Sequence, residues 1–330
     1  YYIATGQDKT LTGPERMLER PIAPLVEALK EIGGKIEYVG RQGFPPLKIN
    51  GKLNKFHNNK IKIAANISSQ FISSLLMIAP TLPNGIEIEF VGDIVSRPYI
   101  DMTLSIMKYF GVSTEVFKNK INIKKQEYQP VKYIIESDWS CASYWYLIAA
   151  LSNDPSIFLK GLKRKSFQGD AIIQEWFKTF GIITEFSDNG AFITKTNEDL
   201  SLIPDIIDFT DNPDLAQTMI VLCAAKGLKC KFTGLGSLKI KETDRINAMK
   251  KELKKFGIQL KEEEKNIYSL KGTFRNSSVT IETYNDHRMA MAFAPLALRC
   301  PEIIINNSKC VEKSYPGFWE DLKNAGFNTD

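Results

Sequence analysis

The stretch Arg97-Pro98-Tyr99-Ile100-Asp101-Met102-Thr103-Leu104-Ser105-Ile106-Met107-Lys108-Tyr109-Phe110-Gly111 decides the fold. Ile100, Leu104 and Met107 fall at i, i+4 and i+7, and a glycine stands where a helix would end. The pattern predicts an amphipathic helix closed by a C′ glycine. It recurs at 20–33, 169–181, 242–257 and 316–326. The closing glycines Gly33, Gly111, Gly181, Gly257 and Gly326 are 78, 70, 76 and 69 residues apart. Short β-like runs follow three of these segments, at 35–39, 113–117 and 183–186.

A second kind of segment is apolar nearly all round. Copies start at Gln70, Ser143, Gln217 and Met289, spaced by 73, 74 and 72 residues. All-round apolarity predicts a helix buried within a domain. Each copy leads into a strand-like run, at 86–91, 157–159, 230–233 and 303–305. The chain therefore repeats a unit of about 73 residues: buried helix, strand, amphipathic helix, strands. Alternating β and α elements predict an α/β architecture. Five amphipathic helices stand against four buried ones, so the first unit reads as incomplete, with residues expected before Tyr1. The polar, proline-containing stretch 126–131 sets the expected boundary between domains 1–130 and 131–330.

Composition excludes several classes. The 330 residues are 43% apolar and 25% charged, an ordinary globular balance. The longest apolar run, 144–151, is far short of a membrane span. Five scattered cysteines without a CxxC pair argue against a disulfide framework or zinc ribbon. His57 and His287 are the only histidines, too few for a multi-histidine metal centre. A net charge of +5 is too mild to indicate nucleic acid, yet suits small polyanions if the basic residues converge. No GxGxxG or GxxxxGK[ST] loop is present. Cys141, without an evident histidine partner, reads as a small core residue.

Polar and charged groups crowd the starts of the helices, where free N–H groups and the positive dipole end favour anions. The densest segment, 239–245, carries Lys241, Glu242, Asp244 and Arg245, with Thr243 or Asp244 as candidate caps. The segment 284–291 places Asp286, His287 and Arg288 ahead of a buried helix. In 208–214, three carboxylates precede another buried helix, and one of them could serve as a general base or simply as a turn cap. Ser68 and Ser69 read as either a site or an N-cap. Arg16 and Arg20 stand at an amphipathic helix start, where arginine forks suit carboxylate or phosphate but are usually just solvated; Lys313 is uninformative alone.

Taken together, several strings resemble the 5-enolpyruvylshikimate-3-phosphate synthase family. They are 11–17 with 19–22, 68–77, 96–103, 140–144, 212–218, Lys241-Glu242-Thr243-Asp244-Arg245, and Tyr284-Asn285-Asp286-His287-Arg288-Met289-Ala290-Met291. The last two are specific in combination, and the strings keep family order along nearly the whole chain. The resemblance implies two similar globules of three βαβαββ units each, an inside-out α/β barrel, with substrates bound between them. It implies transfer of the enolpyruvyl group of phosphoenolpyruvate to the 5-hydroxyl of shikimate 3-phosphate, without a cofactor or metal.

Carried over by position, Ser68, Ser69, Gln70, Ser96 and Tyr99 resemble shikimate-phosphate contacts. Arg16, Arg245, Arg288 and Lys313 resemble the clamp on phosphoenolpyruvate, with Ser237 and His287 also substrate-binding. Asp214 resembles the base for the 5-hydroxyl, and Glu242 the group that protonates the enol carbon, with Lys241 beside it. The family also implies a cytoplasmic monomer, no nucleic-acid or membrane partner, and glyphosate as inhibitor. The family's N-terminal Lys-Ser…Arg and Asn-Ala-Gly-Thr motifs are absent here, so the stretch by itself is expected to show little or no turnover. The missing motifs favour a non-catalytic fragment for this stretch, though not for the parent protein; the weaker readings are the UDP-N-acetylglucosamine enolpyruvyl transferase and an RNA-processing enzyme on related repeats.

Overall fold

The structure, a computed structural model, describes residues 1–51, 58–65 and 68–329; His57, Asn66 and Ile67 lie outside the described residues. The chain divides into two compact units, Tyr1–Ile134 and Ile135–Asp330.

In the first unit, strand Lys60–Ala64 runs parallel to Ile86–Val91, which pairs antiparallel with Lys120–Ile123, which in turn pairs with Glu115–Val116. Helices Ser69–Ile78 and Arg97–Tyr109 complete a βαβαββ unit. Alternation sets the register: Ile61, Ile63, Ile86, Ile88, Phe90, Ile121 and Ile123 are buried on one face. The other face carries Lys60 and Lys120 at 3.3 Å from Glu87, and Lys62 at 3.4 Å from Glu89. Exposed pairs of this kind stabilise by at most about 1 kcal/mol each, so the register rests mainly on the isoleucines. Residues 9–50 form the second half of another unit: strand Lys9–Leu11, helix Ala23–Glu31, and strands Lys35–Tyr38 and Leu47–Asn50 in one antiparallel sheet.

The second unit repeats the plan. Ile206–Asp208 is parallel to Lys231–Thr233, followed across the sheet by Ile267–Gly272 and Ile258–Glu264. Its helices are Ala216–Ala225 and Arg245–Lys255. Helix Trp139–Leu151 with strands Ser156–Lys160, Ile182–Ser187 and Gly190–Lys195 forms a second copy. Strands Val279–Ile281 and Ile303–Ile305, again parallel, flank helix His287–Phe293 in a third. The apolar helices are buried as expected: every residue of Ala216–Ala225, and all of Trp139–Leu151 except Cys141. Side chains such as Leu147 and Leu222, fully enclosed, each stabilise by about 1.5–3 kcal/mol. The two helices also touch through a Ser143–Thr218 hydroxyl pair at 3.0 Å.

All five repeat-closing glycines have positive φ, from 75° at Gly181 to 96° at Gly33. One expected helix is broken. Residues 169–181 form three short turns, Gly169–Ile172, Ile173–Trp176 and Phe177–Phe180, rather than a continuous α-helix. The buried Asp170 carboxylate accepts from Ser140 Oγ and from Asn212 Nδ2 (3.1 Å), which pins the first turn away from α geometry. At the second break, Thr179 Oγ1 donates back to the Trp176 carbonyl at 2.9 Å. Among the described residues, no helix is long and apolar enough to cross a membrane.

Candidate active site

Parallel strands leave their sheet at the same edge, so the loops following them are neighbours. In the second unit, the loop after Ile206–Asp208 carries Asp214, and the loop after Lys231–Thr233 carries Lys241 and Glu242 and leads into Arg245. The loops after Val279–Ile281 and Ile303–Ile305 carry Asp286–Arg288 and Lys313 in the same way. Asp244, not Thr243, caps the helix Arg245–Lys255, accepting from the Asn247 amide at 3.0 Å. That cap fixes Arg245 at the first helical position with its side chain turned inward.

Arg245 is 1% exposed and lies among three carboxylates. Its Nε donates to Asp286 Oδ2 at 2.7 Å, Nη1 to Asp214 Oδ1 at 3.1 Å and Nη2 to Glu242 Oε2 at 2.6 Å. Arg288 Nη2 lies 2.9 Å from Asp214 Oδ2, and its Nη1 donates to the Tyr144 hydroxyl and the Asp214 carbonyl, both at 3.3 Å. Lys241 Nζ is 3.8 Å from Asp214 Oδ1. Asp214 thus faces three cations.

Charge and burial set the protonation states. Burial alone would raise the Asp214 carboxyl, but Arg288, Lys241 and Arg245 outweigh it and hold the group well below the ordinary carboxylate range. Burial alone would lower Arg245; Asp286, Asp214 and Glu242 reverse this and raise it. His287 is pushed down by burial and by Arg288, and its Nδ1 is buried with no hydrogen-bond partner among the described residues. Lys313 Nζ donates to the carbonyl and side-chain oxygens of Asn285, each at 2.9 Å. The three cations around Asp214 match the three carboxylates, and Lys313 adds a further positive charge. The arrangement can accept an anion by exchanging internal ion pairs for ligand ones, and it holds one ionised carboxylate and a second, Glu242, beside it.

The structure therefore groups Asp214, Lys241, Glu242, Arg245 and Arg288, with His287 next in sequence and Lys313 on the neighbouring loop. Ser237 lies half-buried in the short helix Gly236–Ile240 that precedes Lys241. Of the other carboxylates before the buried helix, Asp208 makes a local turn, accepting from the Thr210 amide at 2.9 Å. The other expected positions belong to the first unit. Ser68 caps the start of helix Ser69–Ile78 without a side-chain bond, Ser69 is buried and Gln70 exposed. Ser96, buried and left-handed at φ 56°, precedes helix Arg97–Tyr109, with Tyr99 on its first turn. Both helix starts follow the parallel pair Lys60–Ala64 and Ile86–Val91. Arg16 pairs with Glu19 at 2.9 Å on an exposed turn.

Sequence reasoning did not place Asp170, Ser140 or Tyr144 at the site. Asp170 is raised by burial and by the charge of Asp214. The available signal was the repeat itself, since Asp170 follows strand Ser156–Lys160 as Lys241–Arg245 follows Lys231–Thr233. Cys141 departs from its core reading: it is half-buried and lines a cavity of about 790 Å³ with Asp138, Trp145, Phe158, Tyr315 and Phe327. The lining does not include Asp214, Arg245 or Arg288, so that cavity is not the charged site. Burial and Asp138 push the Cys141 thiol up to about 12. Among the described residues, no group of three or more His, Cys, Asp or Glu is placed to hold a metal ion.

Comparison with known proteins fits this geometry. The 3-phosphoshikimate 1-carboxyvinyltransferase of Bacteroides fragilis (strain ATCC 25285) is 48% identical over 330 residues, covering 99% of this chain and 80% of that protein. The enzyme of the same name from Haemophilus influenzae (strain PittEE) is 36% identical over 97% of this chain and 73% of its own length. The expectation of little or no turnover finds no support in these matches. An EPSP synthase structure from Acinetobacter baumannii superposes with TM-score 0.74 at 22% identity, covering 98% of this chain and 75% of that one. The enolpyruvyl transferase NikO from Streptomyces tendae superposes with TM-score 0.72 at 12% identity, covering 99% and 74%. These two likenesses show the fold, repeated α/β units of the enolpyruvyl transferase type. The family profile of EPSP synthase (3-phosphoshikimate 1-carboxyvinyltransferase) matches residues 3–322, and with the 48% identical relative it shows that this chain belongs to that family.

Proposed function

We propose that the cluster centred on Asp214 and Arg245 is where this chain performs its family's reaction, the transfer of the enolpyruvyl group of phosphoenolpyruvate to the 5-hydroxyl of shikimate 3-phosphate. The observation that carries this is Asp214 ringed by Arg288, Arg245 and Lys241, with Glu242 on the same guanidinium.

Both substrates are anions, and the cations supply the field to hold them. Asp214 takes the proton of the 5-hydroxyl as that oxygen bonds to the central carbon of phosphoenolpyruvate. Glu242, released from Arg245 by the arriving anion and protonated from solvent, gives that proton to the methylene carbon, making a methyl group. The tetrahedral adduct then returns a methyl proton to the protein, the carbon–oxygen bond to phosphate breaks, and the enol ether and phosphate leave. Asp214 among these three cations is a weak base because they stabilise its charge. When the carboxylate and phosphate of phosphoenolpyruvate engage Arg288, Lys241, Arg245 and Lys313, that stabilisation falls and the basicity of Asp214 rises. The substrate thus prepares its own base.

Ser68, Ser69, Gln70, Ser96 and Tyr99 would hold the shikimate phosphate, and Arg16, Ser237 and His287 would add substrate contacts. The same reading makes the protein a cytoplasmic monomer and makes glyphosate, an anion of similar charge, a competitor of phosphoenolpyruvate. The test is phosphate release with both substrates. Asp214→Asn and Glu242→Gln should each lower kcat by about 10²–10⁴-fold, while Arg288→Ala should mainly raise the KM for phosphoenolpyruvate. Turnover that survives both carboxylate substitutions would refute the assignment.

A further inference from the structure

The helix Arg245–Lys255 grips the segment preceding Arg288 at three points. Arg245 holds Asp286 at 2.7 Å. Seven residues along, on the same helix face, Glu252 is buried at 0% exposure. Its Oε1 accepts from the Tyr284 hydroxyl at 2.7 Å and its Oε2 from the Glu282 amide at 3.0 Å. Lys255 bridges Glu252 Oε2 (2.6 Å) and the Thr280 carbonyl (2.8 Å). Between the grips lies a tight turn, with the Asp286 amide donating to the Thr283 carbonyl at 2.9 Å. Its two central residues, Tyr284 (φ 53°) and Asn285 (φ 57°), are both left-handed. Asn tolerates that conformation; a large aromatic residue does so only when its surroundings impose it.

We propose that Glu252 and Tyr284 form a latch, a pair of positioning residues that holds this turn in its left-handed form and so sets Arg288 and Lys313, two of the four cations meeting phosphoenolpyruvate. The inference rests on the site reading above. The turn delivers both cations: Asn285 carries Lys313 through two 2.9 Å bonds, and Asp286 accepts from the Arg288 amide at 2.9 Å. Without the Tyr284 hydroxyl the turn relaxes toward negative φ, and Asn285 and Asp286 move with it. Neither latch residue needs to touch substrate.

The experiment reads phosphoenolpyruvate affinity from its KM in the phosphate-release assay at saturating shikimate 3-phosphate, with kcat and the thermal midpoint recorded in parallel. Tyr284→Phe keeps the ring and removes the bond; it should weaken binding roughly tenfold, the equivalent of one hydrogen bond to a charged acceptor. Tyr284→Asn, which adopts the left-handed turn without help, should restore affinity to within about threefold of the unmodified chain. Glu252→Ala should match Tyr284→Phe, and the double variant should be no worse than either, because one latch is broken once. A purely packing role for the ring would make Tyr284→Asn worse than Tyr284→Phe, which overturns the latch. Unchanged affinity in Tyr284→Phe overturns it too. Arg288→Ala reports separately on the underlying site: if that variant binds as well as the unmodified chain, or if the unmodified chain does not bind, the site reading fails and the latch falls with it.

Discussion

Arg245→Met offers the sharpest test of how the cluster is held together. Arg245 is 1% exposed and the most deeply buried of its carboxylate partners, Asp286, is 0% exposed. Methionine fills nearly the same volume, so the change is electrostatic rather than a cavity. Asp214 and Glu242 keep some exposure, and Asp214 keeps Arg288 and Lys241, but the buried Asp286 loses the opposite charge bonded to it. Removing one member of a buried pair costs about 3–5 kcal/mol, because the remaining charge is uncompensated. For a unit of roughly 200 residues, 1 kcal/mol moves the thermal midpoint by about 2–4 °C, so the expected drop is about 6–20 °C. All four tryptophans, Trp139, Trp145, Trp176 and Trp319, lie in the second unit, so tryptophan fluorescence during heating reports this unit alone. The decisive variant is Arg245→Met combined with Asp286→Asn. Asparagine keeps the oxygen that accepts from the Arg288 amide but carries no charge, so the double variant should recover at least half of the loss. If it is no more stable than Arg245→Met, the cost does not come from an unpaired buried carboxylate and the electrostatic account is wrong.

Acid titration separates two carboxylates of opposite behaviour. The Asp214 pKa is depressed by its cations, so its contribution is present above the unfolded carboxylate pKa near 4 and is lost as pH falls through its lower folded value; Asp214→Asn should flatten the acid loss in urea unfolding below pH 4. The Asp170 pKa is raised by burial and Asp214, so its charged form opposes folding at neutral pH; Asp170→Asn should gain stability at pH 7 and lose that advantage as pH approaches 4, and a gain independent of pH would contradict it. Cys141, held near pKa 12, should react with iodoacetamide at pH 8 far more slowly than an unperturbed thiol near 8.5, as peptide mass mapping would reveal. Gly326→Ala, with open space around it, should cost only the left-handed strain of about 1 kcal/mol. Gly181→Ala should cost clearly more, because its Cβ would lie 2.4 Å from the Thr196 carbonyl oxygen; equal costs in denaturant unfolding would contradict the steric part of that argument.

Periodicity made the repeat legible because each element answers a local demand. An amphipathic stripe needs one buried face, an all-apolar helix needs burial on every side, and a left-handed helix end needs glycine. None of these depends on distant residues, so spacing alone located them. The helix expected over 169–181 failed for a non-local reason. Asp170 bonds to Ser140 and Asn212, which stand 30 and 42 residues away, and no window of periodicity contains those partners. Cys141 failed similarly: it sits in a helix otherwise buried on all sides, but on the strip that faces the cavity.

The site shows where a repeat carries more information than its motifs. Lys241–Arg245 and Asp286–Arg288 stood out because several charges in a row before an apolar helix exceed what capping requires. Asp170 is a single charge and did not stand out. Yet the chemistry comes from topology: parallel strands must end at one sheet edge, and the loops after them are the places where backbone donors and helix starts collect. Every grouped residue of the second unit obeys that rule, each following a strand of a parallel pair or its equivalent in the repeat. Had the 73-residue register been used to align loops rather than only helices, Asp170 would have fallen in the same column as Lys241–Arg245 and Lys313. The carboxylates among the cations follow from the same geometry. The positive charge gathered in Arg245, Arg288 and Lys241 cannot stay unpaired where Arg245 is buried. Asp214, Glu242 and Asp286 are the carboxylates placed against it, each within 3.1 Å of the Arg245 guanidinium.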